Sequence, residues 1–342
     1  MKKFENNKKI FEYLKSNNND KLNDLKGFDL YDMIYYINCY YLELRNNLDL
    51  NNNVTFGLEI ECEEADIDSI VNMIYKKLDL YLWTIDDDTS LNCGKEIISP
   101  ILKDYTSTWN ELGKICRVID DYAIVGRKTS GHIHVGTQAL GGSIMAWLNF
   151  LKLWAVYENV IFRFLYGEFL NARPSIVKYA PPCSKSFLEN YDIFVKKRMK
   201  SLETILSNIS RTRYTAVNVQ LVEDGGFCKN NTIEFRCPNG TFEPVIWQNN
   251  VNLLVKLLNY CKSSNFNDDI VDKRRSLINE KNMKLELYHE IYLDEALEFC
   301  DLVFDNNLDK IYFLRQYLKL FDVSYNCIGL EEAKCFVKKM HN

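Results

Sequence analysis

Apolar and polar positions alternate in five short runs along this chain. In FGLEIECEE, residues 56–64, Leu58, Ile60 and Cys62 interleave with Glu59, Glu61 and Glu63. Successive side chains of a strand point to opposite faces, so the run predicts one apolar face and one row of carboxylates. The alternation recurs in GKEIISP, where Glu96 stands among apolar neighbours, and in SGHIHVG, where His132 and His134 share a face. It recurs again in RYTAVNVQL, with Asn218 and Gln220 opposite Val217 and Val219, and in NTIEFRC, with Glu234 and Arg236 opposite Ile233 and Phe235.

Between these runs the period lengthens to that of helices. Apolar positions such as Leu30, Ile34, Ile37, Tyr41 and Leu44 predict a helix over 28–48, after a shorter one over 5–16. Further helices are predicted at about 66–78, capped by Asp66, and at 107–121, 143–167, 186–208 and 243–263. A hairpin is expected with arms Leu80–Ile85 and Lys95–Ser99 around an Asp86–Gly94 loop, stopped by Pro100. The other strands fall at 129–136, 214–221 and 231–237. SSNFNDD, 263–269, reads as a linker, and the remainder as helical. The class is α+β. A helical N-terminal extension covers 1–50, a mixed core 54–263 and a helical C-terminal extension 270–342, with no internal repeat.

Composition narrows the function classes. With 342 residues, 47% hydrophobic and 26% charged, the chain can bury a large core. A net charge of −5 argues against nonspecific nucleic-acid binding, which needs a basic surface. Eleven cysteines lie singly, none at CxxC spacing, which predicts reduced thiols in a cytoplasmic compartment and no zinc knuckle. The opening MKKFENNKKIFEYLK lacks the apolar core of a signal peptide. The most apolar stretch, Met145 to Leu170, is interrupted by Lys152, Glu158, Arg163 and Glu168, so no membrane association is expected.

Each polar pair has a plain structural reading when taken singly. Glu59 and Glu61 suit a solvated strand face, His132 and His134 suit structural histidines, and Glu234 with Arg236 suits an ion pair. Asp86-Asp87-Asp88 suits a solvated turn, and Gly141-Gly142-Ser143 a loop with Ser143 as helix cap. The joint set is less ordinary. Glutamates, histidines, Asn, Gln and Arg replace the Lys, Thr and Ser of a typical outer face, and clustered carboxylates repel unless a cation offsets them. Carboxylate and imidazole suit Mg²⁺ or Mn²⁺, and a sheet curving with this face inward makes an acidic groove for such ions.

Taken in order, FGLEIE, Asp88-Thr89-Ser90, GKEIISP, SGHIHVG, RYTAVN and TIEFRCPNGT resemble the amidoligase family, over roughly 54–250. That family belongs to the carboxylate–amine ligase superfamily of glutamine synthetase and glutamate–cysteine ligase. The resemblance implies a curved antiparallel sheet forming a glutamine synthetase-like catalytic funnel, packed with long helices. It implies that Glu59, Glu61, Glu96, His132 and Glu234 bind divalent metal, and that His134 faces phosphate or substrate. Arg236 is expected near the transferred phosphate or the substrate carboxylate, Arg213 at phosphate and Asn218 at substrate. A further metal-ligand glutamate of glutamine synthetase has no clear counterpart here, and Asp88 is the nearest substitute.

The implied reaction joins a carboxylate to an amine with ATP and Mg²⁺ or Mn²⁺, through an acyl phosphate. The substrates are small molecules or peptides, with glutamate the family-level expectation for the acid. Rings and dimers both occur in the superfamily, so a homo-oligomer is compatible. Two other readings stay open: a Mg²⁺-dependent phosphoester hydrolase, and a non-catalytic helical scaffold.

Overall fold

The computed structural model describes residues 42–197, 201–209, 212–220, 222, 231–278 and 284–319. The helix expected over 5–16, most of that over 28–48, and the chain after 319 lie outside the described residues. Residues 42–48 have irregular backbone rather than the helical end expected there.

In chain order the elements are β1 (Phe56–Cys62), α1 (Ile67–Val71, running into a π-helical stretch Asn72–Lys77), β2 (Thr84–Asp88) and β3 (Gly94–Ile98). Then come α2 (Thr106–Tyr122), β4 (Gly131–Gly136), α3 (Ile144–Leu165), α4 (Ile176–Tyr179), α5 (Ser184–Lys197) and α6 (Leu202–Ile209). β5 (Val217–Asn218), β6 (Thr232–Phe235), α7 (Pro244–Lys262), α8 (Asp268–Leu277), α9 (Leu293–Val303) and α10 (Asn307–Leu318) complete the described chain. The helix expected over 186–208 is thus described as α5 and α6, with 198–200 outside the described residues. Asp66 caps α1 as expected, its Oδ1 accepting from the Ser69 N–H at 3.2 Å.

The strands form one open six-stranded antiparallel sheet in the order β2-β3-β1-β4-β6-β5. The hairpin is displaced from its expected position. Asp86, Asp87 and Asp88 are strand residues opposite Glu96, Lys95 and Gly94, and the loop is shorter than expected. β2 is an edge strand, where exposed charges are tolerated, and Lys95 pairs with Asp87 across the ladder. Among the described residues the strands expected over 214–221 and 231–237 span two and four residues, with residue 221 outside the described residues.

The apolar face of the sheet meets helices. Leu58, Ile60, Ile97, Ile133, Val135, Ile233 and Phe235 are buried. Phe235 stacks on Trp154 at 5.5 Å and meets Phe150 edge-on at 6.4 Å, both from α3, while Phe56 stacks on Trp109 of α2 at 5.3 Å. Gly131 leaves room for Trp247 of α7, whose ring occupies the place a Cβ would take. Removing one such buried aromatic costs roughly 3–5 kcal/mol.

The segment after α7 shares this core. One hydrophobic cluster runs continuously from Leu48 to Leu318, and Phe313 of α10 stacks on Phe164 of α3 at 4.9 Å. Asp309 accepts from Arg45 Nη1 at 2.5 Å and Asn252 Nδ2 at 2.8 Å and pairs with Lys256, tying three distant segments together. The described cysteines are free thiols. Among the described residues no helix is long and apolar enough to cross a membrane.

Candidate metal and ligase site

Strand pairing converts the alternation in sequence into one row in space. Glu61 faces Glu96, Glu59 faces His132, and Glu234 lies opposite both His134 and Asn218 as Cα partners. Paired residues of an antiparallel ladder share a face with Cβ atoms roughly 5 Å apart. The carboxylates and imidazoles expected at the site therefore emerge together on the face opposite Leu58, Ile60 and Phe235.

Their side chains converge on His132. Its Nδ1 lies 2.6 Å from Glu59 Oε2, 3.7 Å from Glu96 Oε1 and 3.8 Å from Glu234 Oε1, and its Nε2 lies 3.5 Å from Glu61 Oε1. The second oxygen of Glu59 reaches His134 Nε2 at 2.8 Å. Two triads, Glu59–His132–Glu234 and Glu61–Glu96–His132, each hold their ligand atoms within 4.8 Å of one another. Glu61, His132 and Glu234 are buried, while the side chains of Glu59 and Glu96 retain 21% exposure, which leaves a route for solvent or a ligand.

Neighbouring groups orient the carboxylates. Ser130 donates its backbone N–H to Glu61 Oε2 and its hydroxyl to Glu61 Oε1, each at 2.6 Å, and its Oγ lies 3.1 Å from His132 Nε2. Asn218 Nδ2 donates to Glu234 Oε2 at 2.6 Å, and Arg236 Nη1 donates to Glu234 Oε1.

The electrostatics describe a cluster with more negative charge than its own cations offset. Burial and the nearby charges of Glu59, Glu61 and Asp88 push the Glu96 carboxyl up to about 9. Burial also opposes ionisation of Glu59, but hydrogen bonds and charge from His132 and His134 outweigh it and hold that carboxyl far below its usual range. Burial lowers His134, and the bond and charge of Glu59 reverse the effect to a net rise. Oxygen and imidazole donors with surplus negative charge fit a hard divalent cation such as Mg²⁺ or Mn²⁺.

All five expected ligands, with His134, Asn218 and Arg236, thus occupy one neighbourhood. Arg213 makes its contacts at the surface: it is exposed, its guanidinium 5.3 Å from the Tyr214 ring centre and its Nη2 3.4 Å from the Tyr214 hydroxyl. Asp88 Oδ1 accepts from the Ser90 N–H at 2.7 Å, which turns the hairpin loop, and Asp88 belongs to neither triad. Glu63, in phase with Glu59 and Glu61, is buried elsewhere. Its Oε1 accepts from the Asn92 N–H at 3.0 Å, and its other oxygen sits where a Cβ at residue 126 would lie, beside Gly126. Ser130 was not among the expected residues, although its position two before His132 places it on the same strand face and was the available signal.

A family model described as "Putative amidoligase enzyme" matches residues 59–258, which span β1 to α7 and include every member of both triads. No curated protein matches the chain. Because the matched segment is more than half of the 342 residues, the chain belongs to the amidoligase family, whose chemistry at the coarsest level is that of an amide-forming ligase.

Proposed function

We propose that this protein joins a carboxylate to an amine at the expense of ATP, through an acyl phosphate, in a funnel-like site on the polar face of the sheet. The observation that carries this reading is His132 at the junction of two glutamate triads, with Arg236 beside one of them.

A carboxylate is a poor electrophile, because its charge repels nucleophiles and oxide is a poor leaving group. Transfer of the γ-phosphoryl group breaks its bond to the β-phosphate oxygen and forms a new bond to a carboxylate oxygen, releasing ADP. The amine nitrogen then attacks the acyl carbon, phosphate departs with the C–O electron pair, and the proton lost from the nitrogen leaves with it as hydrogen phosphate. Glu59, Glu61, Glu96, His132 and Glu234 would hold Mg²⁺ or Mn²⁺, which supplies charge neutralisation at the phosphates. Ser130 keeps Glu61 aimed into the site, and Asn218 does the same for Glu234. Arg236, which donates to Glu234, would offer a planar fork suited to phosphoryl oxygens. His134 and Asn218 stand on the same row and are assigned to substrate, and exposed Arg213 to an outer phosphate. The partly covered site limits water, which would otherwise hydrolyse the acyl phosphate.

Hydroxylamine tests this reading. As the amine, it converts an acyl phosphate to a hydroxamate, whose appearance should require acid, ATP and Mg²⁺ together. No hydroxamate across a broad panel of acids overturns the acyl-phosphate reading. ADP release without acid or amine would favour hydrolysis instead.

A further inference from the structure

Arg173 is buried in the connection between α3 and α4, and all its described partners are neutral. Its Nη2 donates to Arg236 O at 2.8 Å, its Nη1 to Pro238 O at 2.5 Å and to Cys237 O at 3.4 Å, and its Nε to Ser175 Oγ at 3.1 Å. The residue is 6% exposed, and among the described residues no carboxylate lies within ion-pair distance of it. A buried guanidinium held only by carbonyls and a hydroxyl is costly, so such a group calls for an explanation. Burial lowers its pKa to about 10, which leaves it charged at neutral pH.

The segment that Arg173 holds borders the glutamate cluster at both ends. Arg236, whose carbonyl it binds, is the residue whose side chain grips Glu234. Pro238, the next strong acceptor, takes the N–H of Gly131 at 3.2 Å, and Asn239 forms a bridge pair with Ser130, the donor to Glu61. The clasp is reciprocal. Asn239 Oδ1 accepts the backbone N–H of Arg173 at 2.9 Å, and Asn239 Nδ2 donates to Asn171 O at 2.9 Å.

We propose that Arg173 is a positioning residue for the metal cluster: its guanidinium sets the 236–239 segment, and with it the aim of Glu234 at one end and of Ser130 onto Glu61 at the other. The proposal rests on the metal reading of the cluster given above. Three carbonyls from consecutive residues match the planar fork of arginine, and a lysine ammonium keeps the charge but cannot span them.

The test is direct titration of the full chain with Mn²⁺ alone, followed by the electron paramagnetic resonance of free Mn²⁺, beside a thermal melt. In Arg173→Lys the expected result is a cooperative melt with Mn²⁺ affinity reduced about 10- to 100-fold, the range for residues that orient metal ligands. A variant with a lower Tm and wild-type Mn²⁺ affinity means that Arg173 only stabilises the fold, and overturns the proposal. Should Arg173→Lys not fold, Asn239→Ala opens the other half of the clasp and leaves the guanidinium in place. It should show the same loss, and wild-type affinity there overturns the proposal as well. Wild-type protein that takes up no Mn²⁺ would instead overturn the metal reading itself, and the positioning role with it.

Discussion

Glu59 and His132 are Cα partners across β1 and β4, and their side chains meet at 2.6 Å although 73 residues separate them in the chain. His132 joins the two triads because it belongs to both, and Glu59 also reaches His134. In Glu59→Gln or Glu234→Gln, loss of one anionic ligand should lower Mn²⁺ affinity and ADP release by on the order of 100-fold or more, with folding preserved. Titration and turnover check this, and full activity in either variant removes that residue from the cluster.

Ser130→Ala isolates one hydrogen bond. The variant keeps the backbone N–H that binds Glu61 Oε2 and loses the hydroxyl that binds Oε1. Stability should fall by about 1 kcal/mol, while Mn²⁺ affinity should fall about 10-fold or more, because the free oxygen of Glu61 no longer has a fixed direction. Urea denaturation and Mn²⁺ titration on the same sample separate the two effects.

Glu168 gives a stability difference that depends on pH. Its Oε1 accepts from Thr241 Oγ1 at 2.8 Å, its Oε2 is buried without a partner, and burial pushes its pKa up to about 7. The folded state thus holds a proton that the unfolded state, near 4.5, gives up. The resulting stabilisation is complete below pH 4.5 and is lost as pH rises through about 7, a span on the order of 3 kcal/mol. Glu168→Gln should therefore gain stability relative to wild type between pH 5 and 8 (roughly the titration window of the group). Parallel curves for the two proteins across that range would show that Glu168 does not titrate there.

Asp309 anchors the described C-terminal helices. Burial raises its pKa, but Lys256 and Arg45 outweigh that and lower it, so its contribution is present at neutral pH and lost as pH falls into the carboxylate range. Asp309→Ala leaves two cations without their shared partner and should cost about 3–5 kcal/mol. Because the cluster lies on the sheet, Mn²⁺ affinity of the folded variant should be unchanged. Denaturation and titration check the two statements.

The sequence by itself determined which side chains share a face. Strand alternation is a property of the local backbone, so Glu59 with Glu61, His132 with His134, and Glu234 with Arg236 could be grouped within each strand before any contact was known. Helices α2, α3 and α7 were legible for the same local reason. Tertiary structure decided what each face meets. The order β2-β3-β1-β4-β6-β5 departs from chain order, and it makes His132 the meeting point of glutamates from three other strands. It also divided residues that look alike in sequence: Glu63 keeps the phase of Glu61 yet holds a loop at Asn92, while Ser130 orients a carboxylate. Arg173 had no periodic signal at all, because its role comes from three carbonyls more than 60 residues away. Pairing between distant strands is set by packing of the common core, which no short window of sequence contains.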